Sequence, residues 1–201
     1  WKDGVKHGKG TRNYSNKDKY VGFFRDDQIH GQGMYTFASG SIYEGEFRDS
    51  QRHGEGIYIS INGDKYVGEW NDGNKHGRGS LTYANRNKYV GQFKDGKREG
   101  EWTFWHDNEH MKSTGFYKEG SMNGPWKFFY LNGVKEKEGV LVDGNADGPW
   151  TFWDKNALKI QEGIFKDGIK EGKWTAWFDD GRSTEGHYTN GKKNETWTSW
   201  W

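Results

Sequence analysis

The stretch YVGEWNDGNKHGRGSLTY, residues 66–83, holds two alternating segments separated by a turn. Tyr66, Gly68 and Trp70 alternate with polar or β-branched neighbours, the period of two that marks a strand. Asn71-Asp72-Gly73-Asn74 supplies the turn chemistry of a hairpin. Gly77, Gly79, Leu81 and Tyr83 then alternate on the return. Folding about the turn predicts Trp70 opposite Gly77, Gly68 opposite Gly79 and Tyr66 opposite Leu81. Rings would then lie over glycines, which covers otherwise bare backbone.

The unit recurs along the chain. A glycine two residues before a large, mostly aromatic residue stands at Gly22, Gly45, Gly68, Gly91, Gly115, Gly139, Gly163 and Gly186, at spacings of 23 or 24 residues. A partial copy at Trp1 makes nine units, and a fixed period of this length marks a repeat architecture. With neighbouring strands about 4.8 Å apart, two strands per unit advance the sheet roughly 9.6 Å per repeat. The reading is all-β: an open, single-layer, elongated array of about nine tandem antiparallel hairpins. Such a layer cannot bury both faces by itself. Both ends of the chain fall inside repeats, so a fragment of a longer protein is expected.

Composition agrees with a ring-built core. Of 201 residues, 31% are hydrophobic and only four are leucine, but 12 Trp, 11 Tyr and 12 Phe are present alongside 31 glycines. A buried aromatic removes roughly 150–250 Å² from water, so rings can replace the missing aliphatics. Disordered chains combine few aromatics with large net charge; here the net charge is +1. Residues 1–100 carry 17 basic and 13 acidic groups, residues 101–201 carry 13 and 16. That asymmetry is too small to indicate nucleic acid. No run approaches the roughly 18 apolar residues of a membrane helix. The absence of cysteine excludes disulfides and thiolate metal sites without setting the compartment.

The array divides into two sub-arrays, 1–100 and 101–201. In the first, HGKG (7–10), HGQG (30–33), HGEG (53–56) and HGRG (76–79) close each unit, and strand one carries Tyr20, Tyr43, Tyr66 or Tyr89 two residues before its glycine. From KREGEW (97–102) onward the second glycine of that motif becomes tryptophan: Trp102, Trp126, Trp150, Trp174 and Trp197. At the same time the strand-one ring is replaced by Ser113, Lys137, Gln161 and Thr184. Each of these tryptophans but the last is expected opposite or near a strand-one glycine. A ring lost from one strand reappears on its partner, so one structural aromatic ladder runs through both sub-arrays: Tyr20, Tyr43, Tyr66, Tyr89, Trp102, Trp126, Trp150 and Trp174.

YVGFFRDDQIHGQG, YEGEFRDSQRHGEG and YVGEWNDGNKHGRG resemble the MORN repeat, whose pattern is Y-x-G-x-W-x-x-G-x-x-H-G-x-G. GSMNGPWKFFYLNG, GNADGPWTFW and GIKEGKWTAW look like the divergent branch found in bacterial proteins, departing from the pattern after position 100. The resemblance implies a non-enzymatic scaffold that binds a protein partner segment, or a second copy of itself, along an aromatic-lined sheet face. It also implies, as an alternative, a peripheral membrane adaptor on anionic lipid, here through lysines and arginines of the first half. An intracellular setting, cytoplasmic or membrane-peripheral, is the expectation that follows. A carbohydrate- or choline-binding wall module is a further alternative, because PWKFFYLNG is similar to the aromatic hairpins of such modules; the HG-x-G half argues against it.

His7, His30, His53 and His76 stand one repeat apart, roughly 9–10 Å by strand spacing, whereas zinc needs nitrogens about 2.0–2.1 Å from one ion. HDNEH, 106–110, matches the letters of a metalloprotease helix, yet it falls in a link between strands. The glycines lie in strands, not at a strand-to-helix junction that would cradle phosphate. Sequons at Asn13 and Asn194 matter only in a secreted chain. No catalytic residue, metal site or cofactor is expected.

One feature remains. Three residues after each late tryptophan stands another ring: Trp105, Phe129, Trp153, Trp177 and Trp200. If the strand continues, an odd offset points these rings away from the ladder face. Either the strand bends and they pack under connecting loops, or they form an exposed partner-binding stripe of the kind that marks interfaces.

Overall fold

A computed structural model describes residues 4–201, so the partial copy at Trp1 lies outside the described residues. The described chain is all-β, without a helix, and falls into two compact units, Trp1–Arg98 and Glu99–Trp201. The first unit holds β1 (Gly8–Asn13), β2 (Lys19–Arg25), β3 (Gln28–Thr36), β4 (Ile42–Arg48), β5 (Gln51–Ile59), β6 (Lys65–Asn71), β7 (Asn74–Thr82) and β8 (Lys88–Lys94). β9 (Lys97–Trp105) straddles the division between units. The second unit continues with β10 (Met111–Lys118), β11 (Ser121–Phe129), β12 (Lys135–Val142), β13 (Asn145–Trp153), β14 (Lys159–Lys166), β15 (Ile169–Trp177), β16 (Ser183–Thr189) and β17 (Lys192–Trp200). Within each unit every strand pairs antiparallel with its neighbours in sequence, giving an open hairpin array.

Hairpin turns follow from local chemistry. Asp72 and Gly73 both adopt positive φ, 46° and 81°, as do Asp143 and Gly144 at 48° and 85°. Positive φ at both central residues is the type I′ turn, whose twist matches the strands it joins. The N–H of Gly73 reaches back to the carbonyl of Arg52 at 3.0 Å, and Gly144 does the same to Met122 at 2.8 Å. Each tight turn is thus bonded to the hairpin before it. Between hairpins the chain crosses in a five-residue loop closed by two backbone bonds, for example Ser60 N–H to Asp64 O and Gly63 N–H to Ser60 O, both 2.9 Å.

A β-bulge in strand two corrects the expected register. Gly68 faces Gly79 and Tyr66 faces Leu81, but His76, Gly77 and Arg78 together lie across from Glu69 alone, so Trp70 comes opposite Lys75, not Gly77. On its other side Trp70 faces Gly54 of the preceding hairpin. Gly77 sits at φ 55°, in the left-handed region where a side chain is strained. The two glycines of HG-x-G therefore answer to different demands. The first serves backbone geometry, and the second clears space for a ring. Late repeats other than the last keep the first, as Gly124, Gly148 and Gly172, and exchange only the second.

Candidate functional site

The ladder forms by two routes that fill one volume. A Cβ built on Gly79 would lie 2.5 Å from the Tyr66 ring, and one on Gly139 would lie 2.3 Å from the Trp150 ring. In the first unit strand one supplies the ring; in the second, strand two does. Tyr20, Tyr43, Tyr66, Trp102, Trp126, Trp150 and Trp174 are buried, and Tyr89 is half-buried. Trp197 also faces Gly186, so the ladder runs one rung further than the sequence expectation allowed.

Polar satisfaction is shared as well. The tyrosine hydroxyls donate to the carbonyl just after the strand-one glycine: Tyr20 to Phe23 at 3.0 Å, Tyr43 to Glu46 at 3.0 Å, Tyr66 to Glu69 at 2.9 Å. The indole N–H groups donate to the same repeat position from the other strand: Trp126 to Phe116 at 3.1 Å, Trp150 to Val140 and Trp174 to Ile164 at 3.0 Å. That residue sits where the register shifts, as at Phe23, Glu69, Phe116 and Val140. The ladder of backbone bonds is disrupted across from a bulge, and the ring's polar atom supplies a partner for the carbonyl there. Trp102 differs, donating to Glu99 at 3.2 Å.

Rings from the same hairpin and from its neighbour join the ladder edge to face. Tyr43 lies 5.0 Å from Phe47 and 5.3 Å from Trp70; Phe165 lies 5.0 Å from Trp174. Such pairs contribute about 0.5–1.5 kcal/mol each beyond their area. Burial pushes the Tyr20 hydroxyl up to about 12, partly opposed by its bond to Phe23, and drives Tyr43 and Tyr66 up as well.

The second row, Trp105, Phe129, Trp153, Trp177 and Trp200, lies within strands β9, β11, β13, β15 and β17, and the pairing with the next strand shifts register just before Phe129 and Trp153. The first four rings are half-buried, and Trp200 is 52% exposed. Lysines from the preceding strand lie over two of them. Lys135 Nζ is 4.0 Å from the centre of Trp153 and 2.9 Å from Glu138. Lys159 Nζ is 5.2 Å from Trp177 and 2.8 Å from Glu162. Loop packing contributes too, since the Tyr130 hydroxyl donates to the Trp153 carbonyl at 2.8 Å.

The histidines of HG-x-G take a structural position. Nδ1 of His30 lies 3.6 Å from Asp49 and Nδ1 of His76 lies 3.6 Å from Asp95, each aspartate at the turn of the next hairpin. HDNEH forms the ordinary five-residue crossing loop, with His106 N–H to His110 O at 2.9 Å. Among the described residues no three His, Asp or Glu side chains gather as a metal site.

A sheet of 23–24-residue hairpins, each placing one ring over a strand-one glycine, defines an open β-hairpin repeat protein. The MORN-repeat family model matches five consecutive segments, 1–19, 20–42, 43–65, 66–88 and 89–101, and the chain belongs to that family. No curated protein sequence matches it. Among solved structures, the G-box domain of the microcephaly protein CPAP is similar at a TM-score of 0.49 and 12% identity, over 93% of this chain and 97% of that one. The TCP10 domain of Danio rerio CPAP gives 0.48 at 11% identity, over 89% and 83%.

Proposed function

We propose that the chain is a non-catalytic binding scaffold whose second unit takes a protein segment, or a second copy of the chain, along the row Trp105, Phe129, Trp153, Trp177 and Trp200. One observation carries this reading. The row repeats at one position per hairpin, none of its five rings is buried, and the ladder already supplies a buried ring in each of these hairpins but the last. A ring repeated beyond what the core needs has the character of an interface anchor, where Trp is favoured. Lys135 and Lys159 hold two of these rings in place, which lowers the entropy lost on binding.

The test is the double variant Trp153→Ser/Trp177→Ser, with melting temperature and association measured on the same material. The scaffold reading expects stability to change by no more than about 0.5 kcal/mol. Self-association in sedimentation, or recovery of a binding protein, should weaken by about 2 kcal/mol per anchor. A variant that melts early, at roughly 3–5 kcal/mol per truncated ring, with association unchanged, makes the row loop packing and removes the reading.

A further inference from the structure

One hairpin position remains unused by the ladder and the stripe. The second residue after each tight turn lies directly across from the second large residue of strand one: Ile29 faces Phe24, Arg52 faces Phe47 and Lys75 faces Trp70. In the first unit this position reads Lys6, Ile29, Arg52, Lys75 and Arg98, the last three being consecutive cations. Each lies over ladder-face rings. The guanidinium carbon of Arg52 is 4.1 Å from the centre of Trp70 and 5.8 Å from Tyr43. Lys75 Nζ is 4.7 Å from Tyr66 and 5.6 Å from Phe93, and Arg98 is 6.0 Å from Tyr89.

Ring faces attract cations but do not neutralise them. Among the described residues no carboxylate forms an ion pair with Arg52 or Lys75. Arg52 donates instead to the Gly73 carbonyl at 2.7 Å. Burial holds the Lys75 ammonium below its ordinary pKa, and the charges of Arg52 and Arg98 push it lower; burial lowers Arg52 too. Arg52 and Lys75 thus stand half-desolvated on one face, with Arg98 in the same row. A hollow of about 440 Å³ opens beside Arg52, lined by Tyr35, Phe37, Phe47 and Asp72. The Asp72 carboxylate is already taken by Arg48 at 3.3 Å.

We propose that this row docks an acidic, extended segment of a partner protein, with one carboxylate on Arg52, one on Lys75 and an apolar side chain in the hollow beside Arg52. Two strands separate successive cations, roughly 9.6 Å at about 4.8 Å per strand. An extended chain rises about 3.3 Å per residue, so every third residue of the segment meets the next cation. The cations are recessed among rings, a geometry that individual side chains reach and a planar layer of lipid headgroups does not. The proposal rests on the reading of the chain as a binding scaffold, but it uses the first unit and the ladder face, so it fails separately from the tryptophan stripe.

The test uses the whole chain and a fluorescent peptide with glutamate at every third position and an aromatic residue between the first two glutamates. Its counterpart has glutamine throughout, and vesicles of phosphatidylcholine with phosphatidylserine are a third probe. The glutamate peptide is expected to bind, the glutamine peptide at least about tenfold more weakly, the order of a lost hydrogen bond to a charged group. Arg52→Met and Lys75→Met should each weaken binding by about the same factor. Methionine is the residue the fold itself carries at this position, as Met122 opposite Tyr117, so these variants keep the hairpin. The glutamate peptide should also protect Lys75 from amine-reactive label. Equal binding of both peptides, binding that survives both Met substitutions together, or no binding overturns the proposal. Vesicle binding lost in the same variants, with the peptide unbound, replaces it with a membrane surface.

Discussion

Gly79 and Gly139 each sit under a ring too close for any Cβ, but the ring comes from opposite strands. The contrast makes the ring exchange testable at a single rung. Gly79→Trp places an indole where Tyr66 already lies and should cost roughly 1–3 kcal/mol by overpacking. Adding Tyr66→Ser reproduces the late arrangement, in which Ser113 stands at the tyrosine position, Gly115 faces Trp126 and its indole N–H bonds the Phe116 carbonyl. The double variant should recover part of the loss, because the indole can take over the Glu69 carbonyl that the Tyr66 hydroxyl gives up. Chemical denaturation of the single and double variants checks this. A double variant no more stable than the single one would show that the two rings do not compete for one volume.

At the scale of the hairpin, turn geometry and repeat-to-repeat bonding meet in one residue. Gly73 has φ 81°, no atom lies within 4 Å of where its Cβ would be, and its N–H bonds the carbonyl of Arg52. Gly73→Ala therefore changes only backbone strain, about 1–2 kcal/mol for a left-handed residue with a Cβ. Gly124 also has open surroundings, with Phe116 Cβ at 3.8 Å, and φ 81°. Gly124→Ala should cost a similar amount, whereas a glycine needed merely for room would tolerate alanine there. Equilibrium unfolding of the two variants measures both. A negligible cost at Gly124 would mean that the late repeats keep this glycine for a reason other than φ.

The two units differ in what pH can do to them. The first is laddered by tyrosines whose ionisation burial opposes, the second by tryptophans that do not titrate. Tyr20 titrates near 12 when folded against 10.0 when free, and Tyr43 and Tyr66 are raised in the same direction. A raised folded pKa contributes stability that is complete below the unfolded value and lost as pH climbs toward the folded one. Alkali should therefore weaken residues 1–98 between about pH 10 and 12 before the Trp126–Trp174 ladder. In a repeat array each hairpin depends on its neighbours alone, so one region can open while another holds. Limited proteolysis at about pH 11, mapped by mass spectrometry, should place the first cuts in 1–98, and Tyr43→Phe should delay them. First cuts in the tryptophan repeats would contradict this order.

Much of the fold was legible because a hairpin repeat is local. The 23–24-residue spacing, Asp72-Gly73 as a turn and the Tyr66–Gly68–Gly79 relation all rest on neighbours within one unit. The ring exchange from Tyr66 to Trp150 could likewise be read by aligning the repeats. Tertiary structure decided what depends on extra residues or on adjacent hairpins. The bulge in 76–78, across from Glu69, moves Trp70 from Gly77 to Lys75, because two extra residues on the return strand shift every pairing between them and the turn. The same bulge frees the carbonyl that Tyr66 satisfies, a partner that alternation of large and small residues cannot reveal. In the same way Arg52, Lys75 and Arg98, 23 residues apart in sequence, become one cationic row only when consecutive hairpins stack their strands, because spacing across a sheet is set by backbone hydrogen bonds and not by distance along the chain.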